Sequence, residues 1–189
     1  MSKKHPALLV IGPTAVGKST LLDKALAEFP KLCDIITYTT RAKRKGEVEG
    51  NPYHFVTELQ FKKLIEENFF IEWALVHTKM YGTPRDQVLR AWEQGRVVII
   101  DIDVQGAKRF RQEFPGIHTV FISPPNIDAL RLRFRKRGIT DENDLNTRLE
   151  SAQKEMAQAK DFDQLIVNDD FDVAYGEFRK VIEKLLKFQ

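Results

Sequence analysis

The sequence predicts an α/β fold, a mainly parallel sheet with helices on both faces. Short apolar runs of strand length alternate with stretches whose apolar residues recur at helical spacing along the 189 residues. The run Val97-Val98-Ile99-Ile100 is β-branched throughout, as in a strand buried on both faces. Gly12-Pro13-Thr14-Ala15-Val16-Gly17-Lys18-Ser19 fits GxxxxGK(S/T) and stands between an apolar run and a helical period.

Taken in order, Ala7-Leu8-Leu9-Val10-Ile11 reads as the strand before that loop. Leu21, Leu22, Ala25, Leu26 and Phe29 mark the helix after it, and Pro30 stops the run. Free backbone N–H groups at such a helix start hold phosphate oxygens. Lys18 carries positive charge to the β- and γ-phosphates, and the Ser19 hydroxyl suits Mg²⁺. Cys33 to Thr40 reads as one strand rich in β-branched residues. Arg41 to Pro52 is dense in charge and turn residues, with no apolar period. It is either a solvated loop or a second anion site, since Arg is suited to bidentate phosphate contacts.

Tyr53-His54-Phe55 gives a short strand, and Leu59, Phe61, Leu64 and Ile65 a helix. Phe69 to Val76 is a strongly apolar strand interrupted by one carboxylate, Glu72. Glu72 either faces solvent or a cation, or accepts two N–H bonds from a ligand edge such as that of guanine. Tyr81-Gly82-Thr83-Pro84 reads as a turn, followed by a helix with Val88, Leu89 and Trp92 that Gly95 ends. Asp101 and Asp103 fall at the C-terminal end of the buried strand, the edge where open α/β sheets bind ligands. They either serve a metal's water shell or cap the next helix.

Thr119 to Ser123 is a further core strand, closed by Pro124-Pro125. Arg131 to Arg137 packs five cations into seven residues, and Gly138 ends that helix. Thr140 is the expected cap of the next, with an acidic first turn and a buried stripe of Leu145, Leu149, Ala152, Met156 and Ala159; Arg148 lies beside the stripe. Two helices joined by a glycine turn and carrying arginines suit a lid that excludes water. Gln164 to Val167 is the last strand, and the final helix buries Ala174, Phe178, Val181, Ile182 and Leu185.

Composition narrows the classes. Hydrophobic content of 42% and charged content of 30% are ordinary for a globular protein. A net charge of +3 is too small to argue for nucleic acid, and no aromatic stacking platform accompanies the cations. Cys33 is the only cysteine, which fits a reducing compartment. The start, Met1 to Pro6, leads into five apolar residues, too few for a signal peptide or a membrane span, so a cytoplasmic protein is expected.

Together the pieces resemble the guanylate kinase (GMP kinase) family. The resemblance is carried by Gly12-Pro13 to Ser19-Thr20, by Thr39 to Glu47, by Gly50 with Tyr53-His54-Phe55, and by Phe70 to Ala74. It continues through Tyr81-Gly82-Thr83, Asp101 to Gly106, Arg133 with Arg137-Gly138 and Arg148, and Ile166 to Asp170. The resemblance implies a P-loop nucleotide kinase fold spanning residues 1–189 as one unit. A GMP-binding excursion would run from about residue 37 to about 91, and a helical lid from about 131 to about 151. The implied reaction is Mg²⁺-dependent transfer of the ATP γ-phosphate to GMP, giving ADP and GDP. The implied partners are ATP and GMP alone, without nucleic acid or membrane, for a monomer or homodimer.

Residue by residue, the resemblance implies that Lys18, Arg41, Arg137 and Arg148 are catalytic. The loop from Gly12, Pro13, Thr14, Ala15, Val16 and Gly17 to Lys18, Ser19 and Thr20 would bind ATP with Arg133, Arg137 and Asn168. Arg41, Arg44, Tyr53 and Tyr81 match GMP-phosphate positions, Glu47 and Asp103 lie with them on the GMP side, and Thr37, Glu72 and Thr83 match the guanine readers. Ser19 and Asp101 match the metal side. Two departures from the family pattern keep every required group: Thr14-Ala15 replaces a common Ser-Gly, and Thr37 a common Ser. A relative that has lost catalysis and a kinase of phosphorylated sugars are the rival readings. Intact Lys18, Ser19 and lid arginines disfavour the first, and the guanine set disfavours the second.

Overall fold

The structure, a computed structural model, describes residues 5–76 and 78–187; the first four residues of the N-terminal stretch read above lie outside it. Five parallel strands form the main sheet: β1 (Ala7–Ile11), β2 (Leu32–Asp34), β7 (Val97–Asp101), β8 (His118–Ser123) and β9 (Gln164–Val167), in the order β2-β7-β1-β8-β9. Every residue of β1 is buried, as a central strand between two helical layers requires. On one side Leu21, Leu22 and Ala25 of α1 (Lys18–Glu28) pack with Phe178 and Ile182 of α7 (Phe171–Lys187). On the other, Val88 and Ala91 of α3 (Arg85–Glu93) pack with Ala107 and Phe110 of α4 (Val104–Glu113).

A second, four-stranded sheet has the order β4-β3-β6-β5, with β3 (Tyr38–Thr39), β4 (His54–Phe55), β5 (Phe70–Val76) and β6 (Lys79–Pro84). Helix α2 (Glu58–Glu66) begins with a reciprocal cap, Thr57 and Gln60 each bonding the other's backbone, and buries Phe61. Helices α5 (Ile127–Lys136) and α6 (Glu142–Met156) share a small core of Leu130, Phe134, Leu145, Leu149 and Ala152.

Four expectations from the sequence are corrected. The stretch 33–40 is not one strand: β2 ends at Asp34 beside β7, and β3 pairs antiparallel with β6 in the other sheet. Between them Ile35 is buried and the Ile36 N–H donates to Gln87, 3.2 Å away, so the chain crosses between sheets there. β-Branched composition does not say which partner a residue pairs with. Residues 81–84 are not a turn but the end of β6, with Gly82 opposite Trp73 and Thr83 opposite Glu72. Gly82 is there because a Cβ would come within 2.9 Å of the Phe70 ring. Asp141, not Thr140, caps α6, its carboxylate accepting the Asp144 N–H at 2.7 Å. Met156 and Ala159 leave the α6 stripe and pack instead on the β7–α4 side of the main sheet.

Candidate functional site

The chain leaves β1 in a loop, residues 12–17, that ends on the first turn of α1. Gly12 (φ 143°) and Gly17 (φ 102°) hold left-handed backbone, and a Cβ at either would collide, with the Ile122 carbonyl or the Asn168 amide. Ala15, at φ 68°, packs into the α5–α6 core, so the loop and the helix pair share one apolar cluster. The Lys18 ammonium curls over the loop, donating to the carbonyls of Gly12 (2.5 Å) and Pro13 (3.2 Å), 3.6 Å from Asp101. Behind the loop, the Val16 carbonyl accepts from Arg133 (3.0 Å) and from the buried Asn168 amide (2.8 Å). Arg133 also donates to the Asn168 carbonyl at 2.6 Å. Arg133 and Asn168 therefore brace the loop from outside, and neither lines the cavity in front of it.

That cavity, about 500 Å³, opens between the loop, the end of β7 and the second sheet. Asp101 and Asp103 both line it and differ in commitment. Asp103 caps α4, accepting from the N–H groups of Gln105 (2.8 Å) and Gly106 (3.3 Å). Asp101 stands opposite Val10 of β1, facing Lys18. Burial pushes its carboxyl up, and Lys18 pulls it back.

On the far wall Arg41 and Glu47 form a bidentate pair, 2.9 Å on both arms, and Glu47 also accepts the Arg44 N–H at 2.8 Å. Both Glu47 oxygens are engaged, so this carboxylate holds the Arg41 guanidinium and the Arg44 backbone in place. The Arg41 guanidinium lies 5.3 Å over the Tyr53 ring, and Tyr53 meets Tyr81 edge-on at 5.7 Å. Arg44, Tyr53, Tyr81 and Thr37 all line the cavity. At its floor the Glu72 carboxylate, 5% exposed, accepts the Thr83 hydroxyl at 2.5 Å. Burial raises the Glu72 carboxyl to about 7; the Thr83 bond and Arg109 oppose the rise, and Asp103 adds to it.

The helix pair contributes Arg137, at the end of α5, and Glu155 of α6. Arg148 does not line the cavity and is bound to Asp144 at 2.9 Å. Thr20 and Pro13 also lie outside the lining. Glu155 was not foreseen. Burial raises its carboxyl to about 7, opposed by Lys18 and reinforced by Asp103 and Asp101. Spacing alone does not mark it: Glu155 shares a helical face with Arg148, two turns back, and Arg148 stays outside the lining. Asn51 and Pro52 also line the cavity, at the end of the charged Arg41–Pro52 stretch, though their residue types do not single them out within it.

A glycine loop on a helix start, facing an arginine-and-tyrosine wall across one cavity, defines a P-loop kinase of small phosphorylated substrates. A guanylate kinase family model matches residues 4–185. The guanylate kinase of Bdellovibrio bacteriovorus is 45% identical over 183 residues, covering 97% of this chain and 99% of that one. The guanylate kinase of Nitratidesulfovibrio vulgaris is 46% identical over 172 residues, covering 91% and 83%. The crystal structure of guanylate kinase from Anaplasma phagocytophilum superposes with a TM-score of 0.79 at 28% identity, covering 97% of this chain and 87% of that one. The chain belongs to the guanylate kinase family, nucleoside monophosphate kinases that phosphorylate GMP.

Proposed function

We propose that the cavity holds both substrates head to head. The β- and γ-phosphates of ATP lie on the loop amides and Lys18. The GMP phosphate lies on Arg41, Arg44, Tyr53 and Tyr81. Glu72 accepts from the guanine N1–H and exocyclic amine, with Thr83 and Thr37 completing the base site. The observation that supports this best is the continuity of one cavity from Lys18 to Glu72.

A GMP phosphate oxygen attacks the γ-phosphorus, the bond to the β–γ bridging oxygen breaks, and ADP leaves. No side chain is needed as a covalent nucleophile. Lys18, Arg41 and Arg137 supply fixed positive charge where negative charge builds up, and Glu47 keeps Arg41 aimed without reorganisation. We read residues 37–91 as the GMP-binding excursion and residues 131–151 as the lid. Closure of the lid brings Arg148 inward and keeps water from the transferring group.

Mg²⁺ is the metal this chemistry calls for, and the donors fit it. Among the described residues no group of three or more His, Cys, Asp or Glu side chains forms a metal cage. Mg²⁺ takes one or two protein oxygens and fills its octahedron with water and phosphate, so a cage is not required. Ser19 and Asp101 line the cavity beside Lys18 and would hold it; bound there, it neutralises phosphate charge. A cytoplasmic setting is consistent with the lone Cys33. Among the described residues no helix is long and apolar enough to cross a membrane.

ADP release from ATP with GMP, AMP, CMP and UMP in turn tests the reading. Turnover confined to GMP supports it, and equal turnover with AMP would refute it.

A further inference from the structure

Glu72 touches more than its hydroxyl partner. Helix α4 runs past it, and the contact is made by Gly106, in the first turn after the Asp103 cap. A Cβ built on Gly106 would overlap the second carboxylate oxygen of Glu72, Oε2, and lie 3.0 Å from its Cδ and 2.9 Å from Ile102 Cγ1. Oε1 is already fixed by Thr83. The carboxylate is therefore confined between a hydroxyl on β6 and a bare helix backbone on α4.

The helix is not free to back away. Three residues on, on the same helical face, Arg109 donates to the Trp73 carbonyl of β5, and its guanidinium lies 5.3 Å over the Trp73 ring. Within a helix, glycine is less favourable than alanine, because it leaves more backbone entropy to lose. Gly106 adopts no positive φ that would require glycine. What requires it is the close approach of Glu72. Gly176 offers the contrast: it also sits within a helix, α7, and a Cβ there meets nothing within 4 Å.

We propose that Gly106 is a positioning residue for guanine recognition: the missing side chain leaves the space in which the Glu72 carboxylate stands to meet the base. This rests on Glu72 being the base acceptor. A methyl at 106 pushes the carboxylate off its line to the two guanine donors and leaves the phosphate loop untouched.

The test is a set of four chains, Gly106→Ala, Glu72→Asp, the two combined, and Gly176→Ala as control, each assayed for KM of GMP and of ATP and melted thermally. Gly106→Ala is expected to raise the GMP KM by about tenfold or more while the ATP KM stays within about twofold. Shortening the acid withdraws it from the added methyl, so adding Gly106→Ala to Glu72→Asp should change the GMP KM by less than about threefold. Gly176→Ala should leave both constants unchanged. An unaltered GMP KM in Gly106→Ala overturns the proposal. So does an equal further loss in the Glu72→Asp background, which would assign the effect to Ile102 packing. Should Gly106→Ala fail to fold, recovery of folding in the combined chain supports the proposal, and failure of both overturns it. If Glu72→Asp alone leaves GMP unaffected, the base-acceptor reading itself falls, and this proposal with it.

Discussion

Thr83 and Glu72 stand opposite each other on neighbouring antiparallel strands, and the Thr83 hydroxyl donates to the Glu72 carboxylate at 2.5 Å. A cross-strand pair on one face of a sheet is a rigid fixture. Here it orients a buried acid at the base of a cavity and leaves the acid's remaining lone pairs for a ligand.

Replacing Glu72 by Gln keeps the shape and turns one acceptor into a donor facing donors. GMP KM should rise about 10–100-fold, the scale of one or two buried unpaired polar groups. The ATP KM should hold within about twofold, because the loop is untouched. Steady-state kinetics with each substrate varied in turn reads both numbers.

The same acid gives a pH dependence. Only ionised Glu72 accepts two N–H bonds, and burial raises its carboxyl to about 7. GMP should therefore bind more tightly as pH rises from about 6 to about 8, and Glu72→Gln should lack this increment. Stability runs the other way. A carboxyl raised from 4.5 to about 7 binds its proton more tightly in the fold. Its contribution is fully present below about pH 4.5 and is lost as pH rises through about 7, on the order of 3 kcal/mol at about 1.4 kcal/mol per pH unit. Thermal melts should show Glu72→Gln gaining on the parent chain at about pH 8 and not at about pH 4.5.

Glu47 is expected to act through Arg41. Glu47→Ala removes a bidentate partner from the guanidinium of Arg41, a side chain only 13% exposed, and the acceptor for the Arg44 N–H. GMP KM should rise about tenfold, the scale of a charge-assisted bond, with the ATP KM unchanged. Equal losses for both substrates would show a general packing defect instead.

Lys18→Ala and Arg148→Ala should each lower kcat on the order of 10³, the scale for a group stabilising transferring phosphoryl charge. For Arg148 this requires α6 to move, because Arg148 lies outside the cavity lining, and its exposed bond to Asp144 one turn back on the same helix must open. An Arg148→Ala chain keeping more than about half its kcat would remove that residue from the reaction.

Asn168 distinguishes bracing from adenine contact. Its buried amide holds the Val16 carbonyl, so Asn168→Ala should cost about 1–3 kcal/mol of stability and raise the ATP KM with it. A loss confined to ATP, with stability intact, would mark a base contact instead.

The parts of the site readable in the sequence are those written in consecutive residues. The loop from Gly12 to Ser19 and the Arg41–Glu47 block each close their geometry within a few positions, so spacing carries it. Parts that depend on which elements become neighbours were read less well. Asp101 and Asp103 are alike in sequence, and only Lys18 opposite one and the α4 amides under the other separate them. Gly82 and Pro84 give a turn signal that strand pairing with β5 overrides. Asn168 and Arg133 meet at Val16 from chain positions far from the loop. Glu155 and Gly106 matter through helices α6 and α4 laid against the cavity, a placement that no local pattern encodes.

The central claim is that two nucleotides meet phosphate to phosphate in one cavity, and a single compound measures it: adenosine and guanosine joined through a chain of phosphates. It should compete with ATP and with GMP alike, and bind more tightly than either. Competition with ATP alone, leaving GMP binding undisturbed, would contradict the claim.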